Sequence, residues 1–197
     1  MRKAQYSRRS NETDIRVALN VDGSGKYTVD TGCGFLDHML ELFARHGRFD
    51  LEISCAGDVK TGYHHTVEDC AMALGSAFRE ALGERLGVKR YGSAVIPMDD
   101  ALVLAAVDIG GRAWYGSDIS TPSQRIFDFD TELVAEFMQA LARTLGAGIH
   151  LRQLAGVNSH HIIEAAFKAL AHALDEACSP DPRAAGEAPS TKGLLDL

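Results

Sequence analysis

The chain has 197 residues, 46% of them hydrophobic, and a formal net charge of −7. This apolar content is enough for a buried core, which argues against a disordered chain, and the negative charge argues against a nucleic-acid-binding surface. No apolar run approaches the roughly 20 residues of a membrane span, and the N-terminus lacks an apolar signal region. The four cysteines show no zinc-type spacing, so we expect a cytoplasmic protein that binds neither nucleic acid nor membranes.

The first half of the chain predicts strands, a helix, a strand and a helix. Alternating segments on either side of Asp22-Gly23-Ser24-Gly25 predict a β-hairpin, and apolar residues at helical spacing follow. A longer helix is expected to end near Gly87. The predicted elements are strands at 15–21 and 26–31, a helix from Leu36 to Phe43, a strand at 51–55 and a helix at 67–86.

The second half repeats this order. Its predicted elements are strands at 101–108 and 112–117, a helix at 132–145, a strand at 149–153 and a helix at 160–177. A Pro/Ala-rich segment follows and predicts an extended tail. We therefore expect two similar half-repeats, residues 1–92 and 93–178, and a C-terminal tail, residues 179–197.

The most informative motif is a histidine doublet that occurs twice. His64-His65-Thr66-Val67-Glu68 recurs as His160-His161-Ile162-Ile163-Glu164. A single doublet could merely cap or decorate a helix, but its repetition favours a metal site. On a helix the first histidine and the glutamate share a face and can bind one ion, whereas the second histidine points about 100° away. Two doublets that face each other across an interface would therefore hold two ions.

Each proposed ion still lacks a ligand, and matched helices supply one candidate for each. His38 precedes the first doublet by 26 residues, and Glu136 precedes the second by 24. One predicted set comprises His38, His65, His160 and Glu164. The other comprises His64, Glu68, Glu136 and His161. Glu136 could instead be a solvated helix residue, and nitrogen and oxygen ligands leave zinc, iron, nickel and manganese open.

A second group of residues predicts an anion site. Arg90, Arg112 and the segment Ser190-Thr191-Lys192-Gly193 combine cations, a hydroxyl group and flexible backbone N–H groups, which suit a phosphate. His46 has no counterpart in the other half and is a further candidate substrate contact. His150 and His172 are expected to be structural.

Over nearly its whole length the chain resembles the imidazoleglycerol-phosphate dehydratases of histidine biosynthesis. The resemblance rests on five motifs: Gly34-Phe35-Leu36-Asp37-His38-Met39, His64-His65-Thr66-Val67-Glu68-Asp69, Pro97-Met98-Asp99-Asp100-Ala101-Leu102, Asn158-Ser159-His160-His161-Ile162-Ile163-Glu164-Ala165 and Ser190-Thr191-Lys192-Gly193. It implies an α+β fold of two pseudo-symmetric half-domains, with four helices between two four-stranded sheets. It also implies a homo-oligomer, a 24-mer, with two Mn²⁺ ions per subunit in sites completed between subunits. The family's phosphate contacts fall on Arg90, Arg112, Ser190 and Lys192.

The chain departs from the family pattern at two positions. Many members have aspartate before the first doublet, where this chain has Tyr63, so a carboxylate that supports the doublet is absent or supplied elsewhere. Where some members have a histidine ligand, this chain has Glu136. That change makes the site more anionic.

The resemblance implies conversion of imidazole glycerol phosphate to imidazole acetol phosphate with loss of water. The proton to be removed lies on a carbon atom that is not next to a carbonyl, so it is weakly acidic. An imidazolate held between two ions could expel the hydroxyl group and give a diazafulvene-like intermediate with an acidic C–H. We expect Glu12, predicted on the first strand, to be the base, with Glu164 as a less favoured alternative. His64 counts among the catalytic groups as well as the ligands.

Two other functions compete with this interpretation. A metal-storage assembly would use the same histidines and glutamates, but it gives no reason for an anion site. A metal-dependent hydrolase would normally use bridging carboxylates rather than two symmetric His-His-x-x-Glu motifs.

Overall fold

The computed structural model describes residues 2–184, 186–193 and 195, so residues 185, 194, 196 and 197 of the predicted tail lie outside the described residues. Among these described residues the fold is α+β, with two four-stranded sheets and four α-helices, as expected. The strands of the first half are β1 (Lys3–Arg9), β2 (Thr13–Asn20), β3 (Tyr27–Asp30) and β4 (Asp50–Gly57). Those of the second sheet are β5 (Tyr91–Met98), β6 (Ala101–Asp108), β7 (Trp114–Ser117) and β10 (Gly148–Ala155), and a separate small hairpin consists of β8 (Arg125–Ile126) and β9 (Phe129–Asp130). The helices are α1 (Gly34–Gly47), α2 (His64–Leu82), α3 (Leu133–Leu145) and α4 (Ser159–Cys178).

The two large sheets have the same topology. The strand order is β1-β2-β4-β3 in the first and β5-β6-β10-β7 in the second. In each sheet the first three strands are antiparallel and the last strand is parallel to its neighbour. The matching order is the three-dimensional counterpart of the repeated doublets.

The core lies between the sheets and is filled by the helices. Helices α1 and α2 pack on the first sheet, α3 and α4 pack on the second, and the layers meet through the pairs α2–α3 and α1–α4. The α2–α3 contact requires Gly75, because a Cβ atom there would lie 2.1 Å from Thr144 Oγ1. Among the described residues, no helix has both the length and the apolarity needed to cross a bilayer.

The predicted hairpin between the second and third strands is wrong. Strand β4 lies between β2 and β3, and β3 runs parallel to β4. Parallel strands need a crossover connection, which α1 provides here. The Asp50 carboxylate accepts hydrogen bonds from the N–H groups of Ser24 and Lys26. These bonds hold the turn between β2 and β3 against the first residue of β4.

Other differences concern element ends and edges. Helix α2 ends at Leu82, earlier than predicted, because Gly83 adopts a positive φ of 53° and turns the chain away. The edge strands β1 and β5 were not predicted. Glu12 lies in the bend between β1 and β2 and not on a strand, so the predicted placement of Glu12 is also wrong.

Candidate metal and anion sites

Both histidine doublets lie in the first turn of a long helix, α2 or α4. The side chain of Asn158 accepts hydrogen bonds from the N–H groups of His160 and His161 and so caps α4. The capping role is thus taken by Asn158, and the imidazole rings of this doublet are available for another purpose.

Three of the predicted ligands form a compact cluster. His160 Nε2 lies 3.1 Å from Glu164 Oε2, and His38 Nε2 lies 3.4 Å from the same oxygen. The candidate ligand atoms of His38, His160 and Glu164 all lie within 4.8 Å of one another. Two imidazole nitrogens and a carboxylate oxygen are a donor set that suits a divalent transition metal, so these residues fit the predicted ion.

Lys168, which the sequence analysis did not identify, lies beside this cluster. Its Nζ atom is 2.6 Å from Glu164 Oε1, one helical turn further along α4. Burial acts to raise the pKa of Glu164, but the Lys168 ammonium and the neighbouring His160 and His38 outweigh it, and the pKa is lowered. Glu164 is therefore held as a carboxylate, the form that binds a metal ion. The i, i+4 spacing could have identified this contact.

The second histidine of each doublet is oriented by a carboxylate of its own half. His65 Nδ1 lies 3.0 Å from Asp58 Oδ2, and His161 Nδ1 lies 2.6 Å from Asp100 Oδ1. These hydrogen bonds raise the pKa of both histidines. With Nδ1 occupied in this way, Nε2 is the nitrogen left to bind a metal. Neither aspartate was predicted in this role from the sequence.

The departure at Tyr63 has a structural explanation. Its hydroxyl group donates a 2.6 Å hydrogen bond to Asp128 Oδ2, which raises the pKa of Tyr63 to about 12. The carboxylate that supports His65 comes instead from Asp58, six residues before the doublet begins. The support is therefore supplied elsewhere, one of the two outcomes that the sequence left open.

Glu12, the predicted base, lies next to the first doublet. Its Oε1 atom is 3.7 Å from His65 Nε2. The second half has a similar contact, in which Asp99 Oδ2 lies 3.6 Å from His161 Nε2. In both halves a carboxylate from the turn between the first two strands lies near Nε2 of the doublet's second histidine, the ring nitrogen that the orienting aspartate does not bind.

The other predicted ligands do not converge within the chain. Glu68 accepts a 3.0 Å hydrogen bond from Arg143, and the His64 ring lies 6.0 Å, centroid to centroid, from the His65 ring. Glu136 is half-buried on α3. Among the described residues, the group of His38, His160 and Glu164 is the one that meets the distance condition for a metal site.

The four predicted phosphate contacts line one open cavity of about 580 Å³: Arg90, Arg112, Ser190 and Lys192. Arg90 Nε donates to Asp108 at 2.7 Å, and Arg90 Nη1 donates to the Pro189 carbonyl at 2.9 Å. The second bond fixes the tail against the end of β6. A Cβ atom at position 110 would lie 2.7 Å from Arg90 Nη2, so Gly110 leaves room for this guanidinium in its present position.

His46 lies apart from this cavity. Its ring packs edge-on against His172, with 5.6 Å between the centroids. Burial, and then the charge of Lys168, lowers the pKa of His46. The charge that acts on His46 is thus that of Lys168, which contacts Glu164 of the metal cluster. His46 therefore lies near the metal cluster and not at the anion cavity.

Comparison with known proteins identifies the family of this chain. The family model described as imidazoleglycerol-phosphate dehydratase matches residues 31–174. The chain is 53% identical to the imidazoleglycerol-phosphate dehydratase of Cereibacter sphaeroides over 195 residues, which cover 99% of this chain and 100% of the relative. The corresponding protein of Desulforamulus reducens is 51% identical over 194 residues, 98% of each chain.

Solved structures give the same result. The dehydratase of Staphylococcus aureus aligns with a TM-score of 0.80 and 35% identity, over 90% of this chain and 99% of that one. The Pyrococcus furiosus protein aligns with a TM-score of 0.82 and 42% identity, over 96% and 99% of the two chains.

Proposed function

The chain belongs to the imidazoleglycerol-phosphate dehydratase family, hydro-lyases of histidine biosynthesis, and from that membership we propose that it uses two divalent ions to convert imidazole glycerol phosphate to imidazole acetol phosphate and water. The observation that carries the metal proposal is the cluster of His38, His160 and Glu164. Manganese is the metal we expect, because this is what the family resemblance implies.

The first ion would be held by His38, His160 and Glu164, with His65 from a neighbouring copy of the chain. This is supported by the position of His65, whose nearest carboxylates are Asp58 and Glu12 rather than the cluster. The second ion would take His64, Glu68 and Glu136, with His161 from a neighbouring copy. Both sites would then be complete only in a homo-oligomer, for which we propose the 24-mer.

The substrate's phosphate group would occupy the cavity lined by Arg90, Arg112, Ser190 and Lys192. Cationic side chains and the hydroxyl and N–H groups of the tail suit a dianion. His46, beside Lys168, would contact the rest of the substrate from the metal side.

When bound to the imidazole ring, the two ions would stabilise its deprotonated form and so favour loss of the neighbouring hydroxyl group. Glu12 would then take the carbon-bound proton, because its carboxylate is exposed and lies beside a ligand nitrogen. Glu164 is less suited to this task, since its charge is engaged by Lys168. The enol released would tautomerise to the ketone.

The anion cavity also separates this proposal from metal storage, the other function that fits the histidines. A storage protein needs to bind and release ions, and nothing in that task requires two arginines, a lysine and a serine around one cavity. The dehydratase needs such a cavity to hold the phosphate of its substrate.

The test is to incubate the manganese-loaded oligomer with imidazole glycerol phosphate and to detect the ketone product. Glu12→Gln keeps the size of the side chain but removes the base, so kcat should fall by roughly 10²–10⁴-fold with both ions bound. Glu80→Gln, an exposed change on α2, is the matched control. Absence of product from the wild-type protein would refute the proposed reaction. Near-normal kcat in Glu12→Gln would refute only the assignment of the base.

A further inference from the structure

Arg85 is a buried cation whose partners are main-chain carbonyl groups. The residue is 1% exposed and follows the end of α2. Its Nη1 atom donates to the carbonyl of Ile109 and, at 3.1 Å, to that of Gly146, while Nη2 donates to Leu145. Burial lowers the pKa of Arg85. A guanidinium nevertheless stays protonated in proteins, so Arg85 is a buried positive charge whose desolvation costs free energy.

These carbonyl groups hold the wall of the anion cavity. Ile109 precedes Gly110 and Arg112, which both line the cavity. The carbonyl of Gly146, a partner of Arg85, also accepts a 3.0 Å hydrogen bond from the N–H of Gly111. Arg85 therefore fixes the turn at both ends, directly at Ile109 and through Gly146 at Gly111.

The charge of Arg85 also acts on the end of a helix. Leu145 is the last residue of α3 and Gly146 is its C-cap, where unpaired carbonyl groups carry a partial negative charge. This negative end is hydrogen-bonded to the turn that lines the cavity and would disfavour an anion there. The guanidinium satisfies the carbonyl groups of both residues and offsets their charge.

We propose that Arg85 is a positioning residue for phosphate binding: it orders the turn that carries Arg112 and neutralises the C-terminal end of α3 behind the cavity. The inference rests on the proposed function, because that function identifies the cavity as the phosphate site. Arg85 itself is fully buried and acts through the turn rather than by touching the substrate.

The test measures binding of inorganic phosphate to the assembled protein by calorimetry, together with KM and kcat. Arg85→Gln keeps some donors but loses the charge, so phosphate affinity should fall about tenfold and KM should rise more than kcat falls. Arg79→Gln removes an exposed arginine from α2, the helix that precedes Arg85, and should leave all three quantities within about twofold. A purely structural role would lower the melting temperature and leave phosphate affinity unchanged.

Arg85→Lys provides a second test that does not depend on the glutamine variant folding. Lysine retains the charge at neutral pH, so it should recover most of the phosphate affinity. A buried ammonium loses its proton more readily than an exposed one, so the affinity of this variant should fall more steeply than that of the wild type between pH 7 and 9.5. The charged or titratable neighbours of Arg85, namely Arg79, Asp108 and Cys178, are common to both proteins and cancel in the comparison.

Wild-type phosphate affinity in assembled Arg85→Gln, or parallel pH profiles for Arg85→Lys and the wild type, would overturn the inference. Failure of the proposed reaction is a separate outcome, because calorimetry reports phosphate binding even in a protein without dehydratase activity. Absence of phosphate binding by the wild type would overturn the inference about Arg85 together with the assignment of the cavity.

Discussion

The orienting aspartates allow the two proposed metal sites to be perturbed one at a time. Of the two doublets, Asp58 contacts the first, through His65, and Asp100 contacts the second, through His161. Asparagine at either position keeps the shape but removes the charge that fixes the imidazole. Each substitution should therefore weaken one ion and leave the other in place.

The size of the effect follows from the geometry. Loss of a carboxylate behind a metal-bound histidine typically costs 10–100-fold in metal affinity, or about 1.4–2.7 kcal/mol. Asp100 should show a further effect, because its Oδ2 atom also accepts the N–H groups of Val157 and Asn158 at 2.6 and 3.0 Å. These bonds hold the turn before α4, so Asp100→Asn should also lower the melting temperature, whereas Asp58→Asn should lower it less.

Manganese affinity can be measured by competition with a chelator on the assembled protein, with the two sites resolved by stoichiometry. Asp118→Asn is the matched control, because Asp118 also accepts a backbone N–H group, that of Gln153, but is exposed and directly follows the edge strand β7. Unchanged affinity at both sites in Asp58→Asn and Asp100→Asn would show that these aspartates do not support metal ligands. Equal weakening of both ions by either variant would refute the division into two ligand sets.

Four further predictions follow from the sites and the fold. Elemental analysis should find two divalent ions per chain, with His64→Ala and His160→Ala each impairing a different one, and a single ion in active protein would contradict the ligand sets. Chelation should lower the melting temperature and shift light scattering towards smaller species, since ligands from different copies are no longer held together; an unchanged assembly would argue against shared sites. Lys192→Ala should raise KM more than it lowers kcat, because a phosphate contact acts in both ground and transition states, and a loss confined to kcat would contradict this role. Hydrogen bonds, first that of the Ser24 N–H group, lower the pKa of Asp50 from 3.8 to about 2. The ionised Asp50 carboxylate therefore stabilises the fold above pH 4, and this stabilisation is lost as the pH falls towards 2. Urea titrations should show less acid destabilisation in Asp50→Asn than in the wild type.

The sequence predicted the elements whose apolar periodicity is strong. All four helices and the central strands β2, β4, β6 and β10 lie where the patterns indicate, because each buries one regular face. The edge strand β1 was missed because its half-buried positions, Ala4, Tyr6 and Arg8, give no clear apolar alternation. The edge strand β5 was missed because its exposed positions mix polar and apolar residues. The hairpin was wrongly predicted because turn residues indicate a change of direction and carry no information about which strand becomes the neighbour.

The side chains of the candidate site were predicted less completely than the helices and the central strands. Identity and spacing along a helix were enough to group His160 with Glu164, and the repeat pointed to His38 as their third partner. Asp58 and Asp100 could not be found in this way, because their contacts with the doublets depend on how the loops fold. Arg85 gave no signal in the sequence, since a buried arginine cannot be distinguished from an exposed one by its letter.

The internal repeat is symmetric for the proposed metal ligands but not for the proposed phosphate cavity, and this difference affects the expected number of ions and substrate molecules per chain. Arg2, just before β1, pairs with Asp22 much as Arg90, just before β5, pairs with Asp108. Arg2 then donates to the carbonyl of Cys178, whereas Arg90 donates to Pro189 in the tail that carries Ser190 and Lys192. The tail is a single segment and contacts the Arg90–Asp108 pair, so we propose two metal positions but one phosphate cavity per chain. We therefore expect one substrate molecule and two ions per chain, which is the ratio required if a single imidazole ring is held between both ions.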